Sequence, residues 1–367
     1  MKTFTRRSTL GTLAGGLALP WVRPSYAQTG TVNVYNWADY IGETTLADFT
    51  AATGIEVAYD LYASAEEMQA KMLAGSTGYD VCVMNGLVMP SFIKAEVYRK
   101  LDRAKLPLWG NLDPAVMKVA DGYDPGNGYG MPYMWGSVGF MYNLDMVKER
   151  LPDADLSDMA TIFKPENLAK LADCGVSFLD SPTDIGFIML SYLGLDPSTA
   201  GPADYAKMVE GFAPIRQYVA TFDNSNYLTT VPNGEICVAN SYSGDYAVAK
   251  TRAAEAGIEM NLAYFVPKSG APAWIDMLCI PTDAPNADNA YAFVNYLLQP
   301  EVIAACSNFT GYANANKAAT PFVDAAVAND PAIYPDAETL GRMYTPGVQS
   351  EDQERALTRA WTDIKAG

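Results

Sequence analysis

The 367-residue chain contains no histidine. Imidazole is therefore excluded as general base, proton shuttle and metal ligand, and with it the Ser-His, Cys-His and His-zinc mechanisms. Cations are also scarce: 25 Lys and Arg stand against 42 Asp and Glu, a formal charge of -17. Such a surface repels nucleic acid and anionic membranes, so no nucleic-acid partner is expected. The five cysteines, at 82, 174, 237, 279 and 306, form no CxxC pair and no metal-ligand spacing, and no metal is expected. In an oxidising compartment one or two disulfides would form, and the odd count leaves at least one thiol free. Cys82 and Cys279 lie inside apolar runs and read as small buried hydrophobes. P-loop, G-x-G-x-x-G, G-x-S-x-G and EF-hand patterns are missing, which leaves no motif for a nucleotide, dinucleotide or calcium cofactor.

What is present begins with an export segment. Thr5-Arg6-Arg7-Ser8-Thr9-Leu10 precedes an apolar stretch rich in Ala, Leu and Gly that ends near Trp21, and Ser25-Tyr26-Ala27 supplies small residues for cleavage. The pattern reads as a twin-arginine signal over 1–27. The stretch is short for a transmembrane anchor and is interrupted by Gly15-Gly16 and Pro20. Cleavage would remove Lys2, Arg6, Arg7 and Arg23 but no acid, taking the charge to -21. An exported acidic protein is expected, with size and apolar content sufficient for two lobes.

Hydrophobic patterning predicts strands at 31–36, 55–61 and 80–84 alternating with helices at 44–52 and 65–73. This βαβαβ order implies an α/β fold with a largely parallel sheet and a ligand crevice beyond the carboxyl ends of the strands. After a loop region at 106–132, a second α/β region runs from about 137 to 257, with helices at 165–173, 203–211 and 245–256. Strand character returns at 261–267 and 273–280, and helices are predicted at 288–298 and 352–365.

Four segments could carry chemistry. Asn36-Trp37-Ala38-Asp39-Tyr40 ends the first strand and combines aromatic faces with a carboxylate, although Asp39 could equally cap the next helix and Trp37 could be core. In Trp274-Ile275-Asp276-Met277-Leu278-Cys279-Ile280, strand alternation puts Trp274 and Asp276 on one face of an otherwise apolar segment. A carboxylate there needs a cation or donors to offset desolvation. With few Lys or Arg in apolar runs, an external amine is the favoured partner. Tyr242-Ser243-Gly244-Asp245-Tyr246 and Asp180-Ser181-Pro182-Thr183-Asp184 read singly as helix starts, with Asp245 as an N-cap and Asp184 in a first turn. Together the four repeat one combination, an acid beside aromatics at an element boundary. That suits a cationic, partly aliphatic ligand, whose ammonium groups pair with carboxylates while rings hold the methylenes. A competing enzymatic reading starts from Ser91-Phe92-Ile93-Lys94 and Lys268-Ser269-Gly270, which echo motifs of penicillin-recognising serine hydrolases. No S-D-N-like triplet lies between them, and Ser91 follows Pro90 as an ordinary helix start with Lys94 in water.

The chain resembles the periplasmic polyamine-binding proteins of ABC transporters, closest to the putrescine-binding type. The resemblance rests on Val34-Tyr35-Asn36-Trp37-Ala38-Asp39-Tyr40-Ile41, Leu73-Ala74-Gly75-Ser76-Thr77-Gly78-Tyr79-Asp80, Met131-Pro132-Tyr133-Met134-Trp135, Cys174-Gly175-Val176-Ser177-Phe178-Leu179-Asp180 and Tyr312-Ala313-Asn314-Ala315-Asn316-Lys317-Ala318-Ala319. It implies a monomeric, non-enzymatic periplasmic protein with the two-lobed type II periplasmic-binding-protein fold, each lobe a mixed, mainly parallel sheet flanked by helices. The lobes would comprise 28–134 with 260–311, and 135–259 with 312–367. A polyamine such as putrescine or spermidine, or another organic cation such as agmatine, would bind in the cleft and be delivered to an ABC permease. Carried over by position, the amine site falls on Trp37, Ala38, Asp39, Tyr40, Asn85, Asp184, Tyr242, Asp245, Trp274, Asp276 and Tyr312. In this resemblance Asp245 and Asp276 pair with amino groups, Asp39 or Asp184 serves the other end, and Trp37, Tyr242, Trp274 and Tyr312 box the methylenes. Ala38, Asn85, Asp184, Tyr242, Trp274, Leu87 and Pro346 depart from the family pattern. The resemblance also implies a Cys174–Cys237 disulfide, with Cys82, Cys279 and Cys306 reduced.

Overall fold

A computed structural model describes residues 30–38, 40–62, 65–345 and 349–367. The expected leader, Asp39 and Pro346 lie outside the described residues. Eleven strands are present among them: β1 Gly30–Trp37, β2 Ile55–Tyr62, β3 Val81–Asn85, β4 Gly130–Asn143, β5 Val176–Phe178, β6 Thr221–Phe222, β7 Val238–Tyr242, β8 Leu262–Phe265, β9 Ala271–Cys279, β10 Ala313–Asn314 and β11 Met343–Tyr344.

The first three strands obey the pattern read from the sequence. β1 pairs in parallel with β2 and β3, and the helices Thr45–Thr53 and Ala65–Ala74 make the crossovers, as parallel pairing requires. Gly54 ends the first helix in the left-handed conformation at φ 77°, donating to the Thr50 carbonyl at 2.8 Å, the usual glycine C-cap. The sheet then turns antiparallel, since β9 lies between β3 and β4. A second sheet is built likewise: β5 pairs in parallel with β6 and β7, and β7 runs antiparallel to β4.

The two sheets share one strand. The first half of β4 pairs with β9, and its second half, Val138–Tyr142, pairs with β7. All fourteen residues of β4 are buried. Because neither face meets solvent, no polar alternation marks it; Pro132, Gly136 and Gly139 give it the composition of a loop, which is what the sequence predicts across its start. Gly136 is there for space: a Cβ would come within 2.5 Å of both Ser243 Oγ and the Trp274 ring.

The lobe boundaries expected from the sequence differ from the strand pairing in two places. β8, expected with the first lobe, pairs with Phe140–Asn143 on the second-lobe half of β4. Conversely, β10 pairs with Met134 and Trp135, Leu112 forms a bridge with Asn316, and the following turn 317–322 packs on the helix Pro300–Thr310. The chain therefore stays with the first sheet well beyond 311. It then adds β11 beside the start of β9 and reaches the second lobe with the helix Glu351–Ala366, which packs on the helix Pro202–Phe212. Ser350 and Gln353 form a capping box at the start of that last helix.

Cys174 and Cys237 form a disulfide inside the second lobe, and Cys82, Cys279 and Cys306 are reduced and buried. The bridge spans 63 residues, and closing a loop of that length in the unfolded chain corresponds to about 2–4 kcal/mol of stabilisation. The Cys174→Ala/Cys237→Ala protein should lose about that much stability in denaturant unfolding; an unchanged midpoint would contradict this role.

Candidate functional site

The candidate residues gather where the two sheets meet on β4. β9 presents Trp274 and Asp276 on one face, and the antiparallel register sets Asn85, the last residue of β3, directly opposite Asp276. Asn85 uses its Oδ1 to accept the Leu87 amide at 2.9 Å, holding the turn that follows β3. Asp276 is only 6% exposed. Burial pushes its carboxyl up to about 7, and the Tyr40 hydroxyl, which faces it without a well-formed hydrogen bond, draws it back only in part. The buried Trp274 Nε1 has no hydrogen-bond partner among the described residues.

The second lobe contributes two more carboxylates. Asp184 sits in the first turn of the segment Pro182–Gly186, as read from the sequence, and accepts the Tyr242 hydroxyl at 2.9 Å. Asp245 is not the N-cap that its position suggested. The helix Ser243–Glu255 begins two residues earlier, with Tyr242 at the cap position and no side-chain cap. The Asp245 carboxylate is drawn instead to two tyrosines: Tyr227 donates to Oδ2, and Tyr312 donates to Oδ1 at 3.1 Å. An acid in the first helical turn keeps its favourable alignment with the helix dipole. Burial raises both carboxyls above the usual range, while the tyrosine hydroxyls act in the opposite direction.

Tyr312 ties the parts together. Its ring meets Tyr40 edge-on at 5.6 Å and Trp274 edge-on at 5.2 Å while its hydroxyl reaches Asp245. The ring can lie there because residue 244 is glycine: a Cβ would stand 1.9 Å from Tyr312 Cε1. Trp37 is half-buried with its ring against Tyr62 at 4.3 Å, and Ala38 is exposed. Tyr242 senses the negative charge of Asp184, Asp245 and Asp276 together. Among the described residues none of these three carboxylates forms an ion pair. The one cation with a resolved influence on them is Arg252, an exposed side chain acting on Asp245. Tyr227, fully buried, was missed by the sequence reading. No local signal marks it, since its partner is 18 residues away and in another helix.

The fragments of the hydrolase reading do not assemble. Ser91 spends its hydroxyl proton on the Val88 carbonyl at 2.8 Å, and Lys94 ends its short helix in solvent. Lys268 pairs with Asp155, and its amide donates to Ser157, both in the second lobe.

The raised Asp276 carboxyl has a thermodynamic consequence. Its folded-state value lies above the unfolded one, so the folded protein keeps a proton that the unfolded chain has released. Stability therefore falls as pH rises from about 4 to about 7 and stays low above that. Ligand-free Asp276→Asn should be more stable than the parent protein at pH 8, by at most about 4 kcal/mol. The difference should vanish near pH 3.5. Thermal unfolding across this range is the measurement, and a variant less stable at pH 8 would refute the burial argument.

The bacterial extracellular solute-binding protein family matches residues 44–335. Over 369 aligned residues the chain is 46% identical to the putrescine-binding periplasmic protein SpuD of Pseudomonas aeruginosa, covering 100% of both chains. It is 42% identical to the putrescine-binding periplasmic protein PotF of Escherichia coli, again over 100% of both. A putrescine/agmatine-binding protein of Pseudomonas aeruginosa is 38% identical over 94% of each chain. Among solved structures, the spermidine/putrescine ABC transporter substrate-binding protein PotD of Streptococcus pneumoniae superposes with a TM-score of 0.82 at 24% identity, covering 92% of this chain and 99% of that one, which shows the shared two-lobed fold. The chain belongs to the bacterial extracellular solute-binding protein family.

Proposed function

We propose that this protein is a periplasmic polyamine-binding protein that captures putrescine or a close relative and delivers it to an ABC permease. One observation carries the reading: Asp276 is buried in the first sheet, Asp184 and Asp245 of the second lobe are met by tyrosine hydroxyls, and none of the three has an ion-pair partner among the described residues. Such a group of anions is costly to bury unless a cation arrives from outside. The rings of Trp274 and Tyr312 meet edge-on and, with Tyr242, would suit an aliphatic chain between ammonium groups, with cation-π attraction added at its ends. The names of the relatives point the same way, putrescine being common to SpuD and PotF.

In this reading Asp276 and Asp245 pair with amino groups, Asp39 or Asp184 serves the far end, and Trp37, Ala38, Tyr40 and Asn85 complete the first-lobe contribution. The amine docks on one lobe, and closure about the strands between the lobes brings the other over it. The protein acts as a monomer, and the closed form is what the permease recognises. The reading adds no chemical step, in keeping with the engagement of Ser91 and Lys268 elsewhere.

The mature protein, stripped of copurified ligand, should show a saturable thermal shift with at least one of putrescine, cadaverine, agmatine, spermidine and spermine, and none with glutamate. The absence of a shift with every amine would overturn the proposal. Asp276→Asn and Asp245→Asn should each weaken binding at least about tenfold in calorimetric titration, the loss of one charge-assisted pair. Because the ammonium pairs with the ionised carboxylate, affinity of the parent protein should fall as pH drops below about 7, where Asp276 takes up its proton. Asp276→Asn should flatten that dependence.

A further inference from the structure

We propose that Tyr227 is a positioning residue of the amine site, holding Asp245 ionised and aimed into the cleft whether the lobes are open or closed; this rests on the polyamine-binding reading. Tyr227 has no exposed surface. It opens the short helix Tyr227–Thr230, whose start is fixed from outside the site: Asp223 accepts the amide of Ser225 at 2.8 Å and also binds the Asn226 amide and side chain. Asp223 is itself anchored, its amide donating to the Phe178 carbonyl in β5 at 2.9 Å. The neighbouring Leu228 carbonyl accepts from Arg252, and the short helix packs along Ser243–Glu255, the helix that carries Asp245.

The two donors to Asp245 differ in what they are attached to. Tyr312 lies in the segment that joins the first-lobe helix Pro300–Thr310 to β10, and its ring packs on Tyr40 and Trp274. Its bond to Asp245 therefore crosses from lobe to lobe and depends on how the lobes meet. Tyr227 and Asp245 belong to adjoining helices of one lobe, so their bond survives any rigid rotation about the hinge. The remaining groups around Asp245 cannot substitute. Arg252 is exposed and acts only through space, Tyr242 gives its hydroxyl to Asp184, and Tyr264 gives its own to the Ser137 carbonyl. With Tyr227 in place, one oxygen of Asp245 stays occupied and the other is free to exchange Tyr312 for an arriving ammonium. A hydroxyl donated to a carboxylate favours its charged form, which is the form the ammonium needs.

Tyr227→Phe removes the donor and keeps the ring. In calorimetric titration with putrescine, or with whichever amine the parent protein binds, affinity should fall about tenfold at pH 8 and further at pH 6, because the unsupported carboxylate takes up a proton at higher pH. In an Asp245→Asn background the same change should have no effect on affinity, as a coupled pair requires. Carbon NMR titration of the ligand-free protein should show the Asp245 carboxyl midpoint moved upward by Tyr227→Phe. Unchanged affinity at both pH values would overturn the proposal, as would an equal loss in the Asp245→Asn background or an unmoved midpoint. If the parent protein binds no amine, the functional reading fails by itself, and the ligand-free midpoint still decides the role of Tyr227.

Discussion

A carboxylate on a buried strand, with no ion-pair partner among the described residues, is the constraint around which this molecule is arranged. Asp276 sits on β9, the strand between β3 and β4, so its desolvation is borne within the interior of the first sheet. Two further carboxylates, Asp184 and Asp245, come from the other lobe, and each is met by tyrosine hydroxyls in place of Lys or Arg. A hydroxyl offers one donor without a full positive charge, which steadies an anion without neutralising it. Negative charge is thus concentrated with no ion-pair partner among the described residues, and the large cores offset that cost.

The shared strand gives this arrangement its geometry. Because β4 belongs to one sheet through its first half and to the other through its second, the lobes are joined by backbone hydrogen bonds on both sides of a short stretch near Ser137. A rotation of one lobe against the other would shift the side chains near that stretch relative to one another, and a ligand contacting both lobes would have its greatest leverage there. Small residues are obligatory here. Gly136 makes room for the Trp274 ring and Gly244 for the Tyr312 ring, so two glycines separated by more than a hundred residues define one aromatic wall.

Export, acidity, the absence of imidazole chemistry and the α/β order of the first eighty residues could all be read from the chain, since each depends on composition or on short-range periodicity. Asp276 was also legible, because strand alternation exposes a charged residue within an apolar run. The two helix-start segments were recognised as acids beside aromatics. The local rule for Asp245 pointed to an N-cap, and that rule yielded to tertiary partners: the helix begins at Ser243, and the carboxylate turns to Tyr227 and Tyr312. β4 was hidden because a strand buried on both faces has no alternation to detect, and its glycines and proline resemble a loop.

An export segment, excess negative charge and acids set beside aromatics at the ends of elements are properties of single segments, and all are legible in the amino-acid sequence. Folding alone sets which tyrosines meet which carboxylates, sends β8 and β10 to the opposite sheets from those expected, and puts Tyr227 behind Asp245. These are contacts between segments far apart in the chain, fixed by how strands cross and by whether a ring has room, and no local pattern of residues encodes them.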